Sequence, residues 1–327
     1  MNELTRKKIV CIGGCGFIGS HLVEQLLKTN CSQILIFDDL SRGSLANISE
    51  ALKDPRCTFH GPQDILDIKA LDHALKDVDT VFHLAGLWLL HCHEQPRKAF
   101  EVNIAGTFNI LDACVRAGVQ KIVFSSSASV YGDPLFTPMT ESHPQNFKNF
   151  YGATKAACED MLQAYFHRYG LDYIGLRYMN VYGIRQDFRG AYVSVIMSML
   201  DAIDQGKPVI IYGDGSATYD FISVEDCAKA NLLAAESAYT NEFINIGSGH
   251  GTTLHELANL LFKLNDHEGK IKYVRQTNDT LVSHRVGCLK RAAEILGYRP
   301  SVQLKDGLEK LMRWRHLTLK KTSNENL

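Results

Sequence analysis

Apolar residues along this chain follow two alternating rhythms. Brief uninterrupted runs at Lys8–Ile12, Gln33–Phe37, Thr58–His60, Thr80–Gly86 and Lys121–Ser125 read as strands buried on both faces. Between them, over Ser20–Leu27, Pro96–Ala117 and Tyr151–Tyr169, apolar residues recur at helical spacing. Strand and helix in succession predict an α/β fold, a doubly wound and mostly parallel Rossmann sheet. Ligands of such sheets lie at the carboxyl ends of the strands, where Gly13, Asp38, Gly86 and Ser127 fall. Residues 1–177 are therefore expected to form a dinucleotide-binding domain.

After Arg177 the rhythm changes. Tyr178–Gly183, Gly190–Gln205 and Val209–Gly215 open a second, smaller region that is expected to span residues 178–319 and to bind substrate. Segments near 220–247 are expected to return to the sheet, through Asp220–Val224, a helix over Val224–Glu236 and Phe243–Gly247. Further helices are expected at Thr253–Phe262 and Leu304–Trp314, and residues 320–327 read as a disordered tail.

Composition narrows the function. With 327 residues, 45% of them hydrophobic, the chain can bury a large core. A net charge of −1 without a basic block argues against nucleic acid and anionic membranes as partners. No apolar run is long enough to span a bilayer, and the polar stretch Met1–Lys8 is not a signal peptide. Nine scattered cysteines without Cys-x-x-Cys spacing read as reduced thiols of a cytoplasmic protein. His91-Cys92-His93 lacks flanking ligands at metal-binding spacing, so no metal is expected.

Two stretches carry chemistry. The first strand empties into Gly13-Gly14-Cys15-Gly16-Phe17-Ile18-Gly19 and then a helix, the context in which glycines let backbone approach a pyrophosphate. The second strand ends in Asp38-Asp39, an acid placed for ribose hydroxyls and against a 2′-phosphate. Arg42 argues for the phosphorylated cofactor, but the aspartate outweighs it, and the expected cofactor is NAD. The other stretch is Tyr151-Gly152-Ala153-Thr154-Lys155, whose tyrosine and lysine share one helix face at i, i+4. A phenol, with an ordinary pKa of about 10, is a poor base at neutrality, and a neighbouring ammonium favours its phenolate.

Together, Gly13-x-x-Gly16-x-x-Gly19, Asp38, Asp64, Leu84-Ala85-Gly86, Asn103, Ser125-Ser126-Ser127, Tyr151-x-x-x-Lys155 and Leu176-Arg177-Tyr178-Met179-Asn180 resemble an extended short-chain dehydrogenase/reductase. More narrowly they resemble the nucleotide-sugar epimerase/dehydratase group. The resemblance implies a resident NAD, a Tyr151 base, a Lys155 that orients the nicotinamide ribose, and a Ser127 hydroxyl on the sugar oxygen. Cofactor contacts are expected from Gly13, Gly16, Phe17, Ile18, Gly19, Asp38, Asp39, Leu40, Ser41, Asp64, Ile65, Leu84, Ala85, Gly86, Asn103, Ser125, Tyr151, Lys155 and Tyr178. Substrate contacts are expected from Trp88, Ser126, Ser127, Asn180, Arg189, Tyr212, Tyr219 and Arg285. Where many members carry a diphosphate-gripping arginine this chain has Tyr219, and Arg285 is favoured over Arg275 and Arg189 as its replacement. Trp88 stands where hexose 4-epimerases commonly have a lysine.

The resemblance also bears on the reaction. Dehydratases carry an acid immediately after the hydroxyl residue, and uronate decarboxylases a glutamate in the same segment. Here Ala128 and Ser129 stand there. A redox-neutral 4-epimerase of a UDP-hexose or UDP-hexuronate is therefore expected, ahead of a dehydratase, a decarboxylase or a non-catalytic NAD-binding scaffold. The family further implies a homodimer through a four-helix bundle formed by Pro96–Ala117 and Tyr151–Tyr169.

Overall fold

A computed structural model describes residues 4–187, 194–275 and 282–325. Its first half alternates as the apolar rhythm requires. Strands β1 (Lys8–Ile12), β2 (Gln33–Phe37), β3 (Cys57–His60), β4 (Thr80–His83), β5 (Lys121–Ser127) and β6 (Asp172–Tyr178) run parallel, in the order β3-β2-β1-β4-β5-β6. Both faces of the sheet are covered. In β1, Val10 and Ile12 enter one core while Ile9 and Cys11 enter the other. That two-sided burial is why these strands read as continuous apolar runs.

Helix α1 (Phe17–Leu26) covers the face that Ile9 and Cys11 enter. The face of Val10 and Ile12 is covered by α2 (Ile68–Ala74), by the helices after β4 and by the long helix after β5. The region expected as one helix over Pro96–Ala117 is several elements: α3 (Leu89–Glu94) precedes, then α4 (Pro96–Ala99), a π-helical turn (Phe100–Ala105) and α5 (Gly106–Ala117). A π turn leaves no signature in apolar periodicity, and such turns gather at functional sites. Helix α6 (Phe150–Tyr169) follows β5.

The smaller region contains β7 (Asn180–Tyr182), α7 (Val195–Asp204), β8 (Val209–Tyr212) and β9 (Thr218–Ser223). Helix α8 (Val224–Glu236) packs beside α1, and β10 (Glu242–Ile246) pairs with β6 as the seventh parallel strand. The return to the sheet is thus made by α8 and β10. The expectation that Asp220–Val224 also enters the main sheet is corrected. Strand β9 lies between β7 and β11 (Gly251–Thr253) in a separate three-stranded sheet. Local sequence carries the strand but not its long-range partner. Helix α9 (Leu254–Leu264) comes next, and β12 (Ile271–Val274) pairs with β8. Helix α10 (Lys290–Leu296) precedes α11 (Leu304–Glu325), which runs past the expected end at Trp314 into the stretch read as a tail. Ile196, Leu200, Ile211, Leu257, Leu261, Leu308 and Leu311 form the third core.

Candidate active site

Register brings the strand ends to one edge. Ile12 stands opposite Phe37 and His83, so Gly13, Asp38 and Leu84 follow side by side. Strand order reverses between β1 and β4, and a cleft of about 480 Å3 opens there. Gly13, with φ +84°, donates its N–H to Phe37 O, and a Cβ on it would lie 2.6 Å from Ala85 N. A Cβ on Gly19 would lie 2.2 Å from Gly13 O, so only glycine lets α1 start against the loop. Gly16 brings no capping side chain to α1, leaving its first-turn N–H groups for an anion.

Asp38 is buried, and its two carboxylate oxygens accept N–H groups from Cys15 (2.9 Å) and Leu40 (2.8 Å). Burial raises its pKa, and the two backbone donors oppose that rise. The carboxylate therefore holds the glycine loop against the turn after β2 while keeping lone pairs for a ribose. Asp39 accepts from Ser41, and Asp64 from the Leu66 N–H, each a turn-closing bond beside the cleft. Arg42 lines the cleft with its guanidinium already partnered. Its guanidinium donates to Asp187 (2.9 Å), meets His91 Nδ1 at 3.1 Å and lies 5.0 Å from the Trp88 ring centroid.

At the other end, Asn149 caps α6 by accepting from Gly152 N (2.9 Å), and Tyr151 and Lys155 line the cleft one turn apart. The buried Lys155 donates to Ser125 O (2.8 Å), with Nζ 4.8 Å from the Phe124 ring centroid and 5.8 Å from that of Tyr151. A Cβ on Gly152 would lie 2.5 Å from Ser129 O, so this glycine lets the Tyr151 turn pack on the backbone following Ser127.

The three serines diverge. The Ser125 hydroxyl meets Tyr178 OH at 3.1 Å, which also accepts from Asn231 (2.7 Å). Ser126 donates to Glu159 (2.6 Å), deep inside. Ser127 accepts from the Ser129 N–H (3.1 Å) at the mouth of a 3-10 turn, Ala128–Val130. Ser126 lines the cleft with its hydroxyl given to Glu159, whereas Ser127, the expected hydroxyl on the sugar, is not among the residues that line it.

Arg285 lies alongside Tyr219 on an adjacent backbone bridge. Desolvation lowers its pKa, while the phenols of Tyr219 and Tyr151 and the carboxylate of Asp133 pull it back. Its Nε is buried without a partner. Asp133 itself is paired with Lys148.

A scan against known families matches residues 9–247 to the NAD dependent epimerase/dehydratase family. The chain belongs to that family. It is 37% identical over 310 residues to a protein of Methanocaldococcus jannaschii provisionally named UDP-glucose 4-epimerase, covering 94% of this chain and 97% of the relative. Among solved structures it resembles the UDP-N-acetylglucosamine 4-epimerase of Methanobrevibacter ruminantium M1, at a TM-score of 0.90 and 33% identity over 96% and 99% of the two chains. It also resembles the dTDP-glucose 4,6-dehydratase DesIV of Streptomyces venezuelae, solved with NAD bound, at a TM-score of 0.88 and 29% identity over 95% and 97%.

NAD is this family's cofactor, and the cleft fits it on geometry: a loop that admits no Cβ, an uncapped helix start and a buried acid at the β2 end. Gly13, Gly16, Phe17, Ile18, Gly19, Asp38, Asp39, Ser41, Asp64, Ile65, Leu84, Ala85, Gly86, Ser125, Tyr151, Lys155 and Tyr178 all line it. Two expected contacts do not. The Asn103 carboxamide is spent on Leu87 (2.7 and 3.0 Å), Thr154 (3.1 Å) and Cys92, pinning the backbone after Gly86. Leu40, at φ +58°, packs on the core and gives its N–H to Asp38. On the substrate side, Trp88 lines the cofactor cleft with its Nε1 buried and unpartnered. Asn180 sits in β7, opposite Phe221, away from the cleft wall. Tyr212 is turned out on β8, 54% exposed, and is not brought to the site. Arg189 lies outside the described residues.

Sequence reading missed part of the wall. Asn47, Gln63 and Lys98 line the cleft, as do Arg185, Gln186 and Asp187. Arg185 has φ +66° and is paired with Glu24 of α1, with one terminal nitrogen buried and unpartnered. Nothing in its spacing sets it apart from a surface arginine. Among the described residues no group of three His, Cys, Asp or Glu is arranged to hold a metal.

Proposed function

We propose that the protein is a nucleotide-sugar 4-epimerase acting on a UDP-hexose, with a UDP-hexuronate as the second substrate class. NAD, when bound, supplies the oxidant and then the reductant at the sugar carbon. Tyr151 takes the proton of the C4 hydroxyl and later returns it, Ser127 bonds the same oxygen, and Lys155 keeps a positive charge beside the phenol. Arg285 is the cation for the diphosphate, beside the Tyr219 that replaces the family's usual arginine. Support comes from its unpartnered nitrogen and its electrostatic reach to Tyr151.

A single observation carries the choice of epimerase. The two residues after Ser127, buried in a 3-10 turn, are Ala128 and Ser129, neither of them the acid that the family resemblance expects of an eliminating enzyme there. The nearby carboxylates are committed, Asp133 to Lys148 and Glu159 to Arg177. Without a donor at C6, loss of water lacks general-acid help worth about 10²–10⁴ in rate. Ser126's commitment to Glu159 leaves a uronate carboxylate fewer hydroxyls and favours a neutral hexose. We further propose a homodimer through the outer faces of α5 and α6, in the cytoplasm, consistent with nine unpaired cysteines. Among the described residues no helix is long and apolar enough to cross a membrane.

Incubation with UDP-, GDP- and dTDP-sugars, without added NADH, tests the reading. C4 epimers at constant mass are expected from one UDP-sugar, and Tyr151→Phe is expected to lose at least about 10²-fold in rate. Loss of water or carbon dioxide from the sugar would replace the epimerase reading with a dehydratase or a decarboxylase.

A further inference from the structure

Behind the reacting edge, a buried ion pair joins α6, which carries the proposed base, to β6, the neighbour of the strand that carries the proposed hydroxyl. Glu159 follows Tyr151 and Lys155 at the same four-residue interval on α6, and its side chain is 1% exposed. Arg177, on β6 just before Tyr178, grips it with two parallel bonds, Nε to Oε1 at 2.9 Å and Nη2 to Oε2 at 2.6 Å. The remaining nitrogen of Arg177, Nη1, donates to Tyr131 OH (2.9 Å) and Glu141 O (3.0 Å), in the loop after β5. Glu159 also accepts the Ser126 hydroxyl at 2.6 Å.

Ser126 stands between two residues of the site. Ser125 holds the Lys155 ammonium on its carbonyl, and Ser127 carries the proposed sugar-binding hydroxyl. Alternation along β5 sends Ser126 inward, so its bond to Glu159 ties the strand end to the catalytic helix from behind. Tyr131, bonded to Arg177, donates onward to Asn245 of β10 (2.7 Å). Four segments thus meet at one carboxylate–guanidinium fork, with β10 joined to it through Tyr131, and of these groups only Ser126 lines the cleft.

We propose that Glu159 and Arg177 are positioning residues: they fix the separation between Ser127 and Tyr151, and turnover depends on that separation more than binding or folding does. This rests on the roles given above to Tyr151 and Ser127. A buried pair need not stabilise a fold, because apolar side chains of similar volume commonly replace one without loss. Displacement of a reacting group by about 1 Å, by contrast, costs on the order of 10²-fold in rate.

The test is the paired variant Glu159→Met/Arg177→Met, compared with wild type as the NAD-loaded protein. Single replacements strand a charge in the core and report on folding alone. Expected are an unchanged NAD content, a midpoint of unfolding near that of wild type, a KM within about threefold, and a kcat lower by about 10- to 100-fold. Crystal structures of both proteins supply a readout independent of turnover, the Ser127 Oγ to Tyr151 Oη separation, which is expected to widen in the variant. A variant with wild-type kcat, or with an unchanged separation, overturns the proposal. Should the double variant fail to fold, Arg177→Lys, which keeps the charge but loses the fork, is read the same two ways. If wild type turns over no nucleotide sugar, the functional reading fails, and the measured separation still decides whether the pair positions the two groups.

Discussion

At the scale of single residues, placement proved more legible than commitment. Tyr151 and Lys155 were visible from a four-residue interval, since a helix turns that spacing into adjacency. The partners of Arg42 were not, because Asp187 lies 145 residues on and no local pattern joins them. His83 went equally unread. It ends β4 with Nε2 2.8 Å from Thr107 Oγ1 and Nδ1 buried without a partner. Burial, and then the nearby Lys155 charge, lower its pKa from 6.5 to about 3. A histidine held neutral in the fold binds fewer protons than in the unfolded chain, so stability rises with pH through that window. The contribution is complete above pH 6.5 and is lost as pH falls toward 3, by about 3 kcal/mol at pH 4. His83→Gln is expected to flatten that acid limb, as followed by urea unfolding at pH 7 and pH 4.5. An equal slope in both proteins would contradict it.

Elements buried on two faces announce themselves, whereas elements that depend on distant partners do not. The bounds of β1 and β2 follow directly from their apolar runs. The pairing of β9 with β7 and β11 is long-range, and the π turn at Phe100–Ala105 comes from backbone hydrogen bonding that side-chain periodicity does not encode. The turn after β2 shows how an element end serves two purposes. Asp38 reads in sequence as a ribose acceptor, and its bonds to Cys15 and Leu40 make it a brace for the glycine loop. Asp38→Ala strands the buried Cys15 N–H, at about 1–3 kcal/mol, and the half-buried Leu40 N–H at less. Thermal unfolding should register that loss. Titration with both dinucleotides should show the preference for NAD over NADP falling by about tenfold, as expected for one lost bond to a charged group. Retention of full preference would move the discrimination elsewhere in the cleft.

At the scale of the whole molecule, one group of exposed aromatic rings lies on the helices that cover the sheet. Helices α5 and α6 cover one face of the sheet and leave Phe108 and Tyr169 exposed by 49% and 53%. Phe108 meets Tyr165 edge-on at 6.1 Å, and Tyr165 lies 5.3 Å from Tyr169, so the aromatic groups are neighbours rather than scattered. Charged residues along these helices suggest a solvated face when read in sequence, but the structure spends several of them internally. Arg116 binds Asp72 and Asp112, Glu159 is inside, and Arg168 lies 5.7 Å from the Tyr169 ring. A contiguous aromatic patch of this kind marks an interaction surface more often than a solvated one. A two-fold axis beside it would set each pair of helices against its own copy, a self-complementary contact. Sedimentation at micromolar concentration is expected to give twice the 36.6 kDa protomer mass. Phe108→Asp, which forces a charge into that contact, is expected to shift the species to protomer with the NAD content unchanged. A protomer in the wild-type run, or a dimer that survives the charged substitution unchanged, would refute assembly through this face.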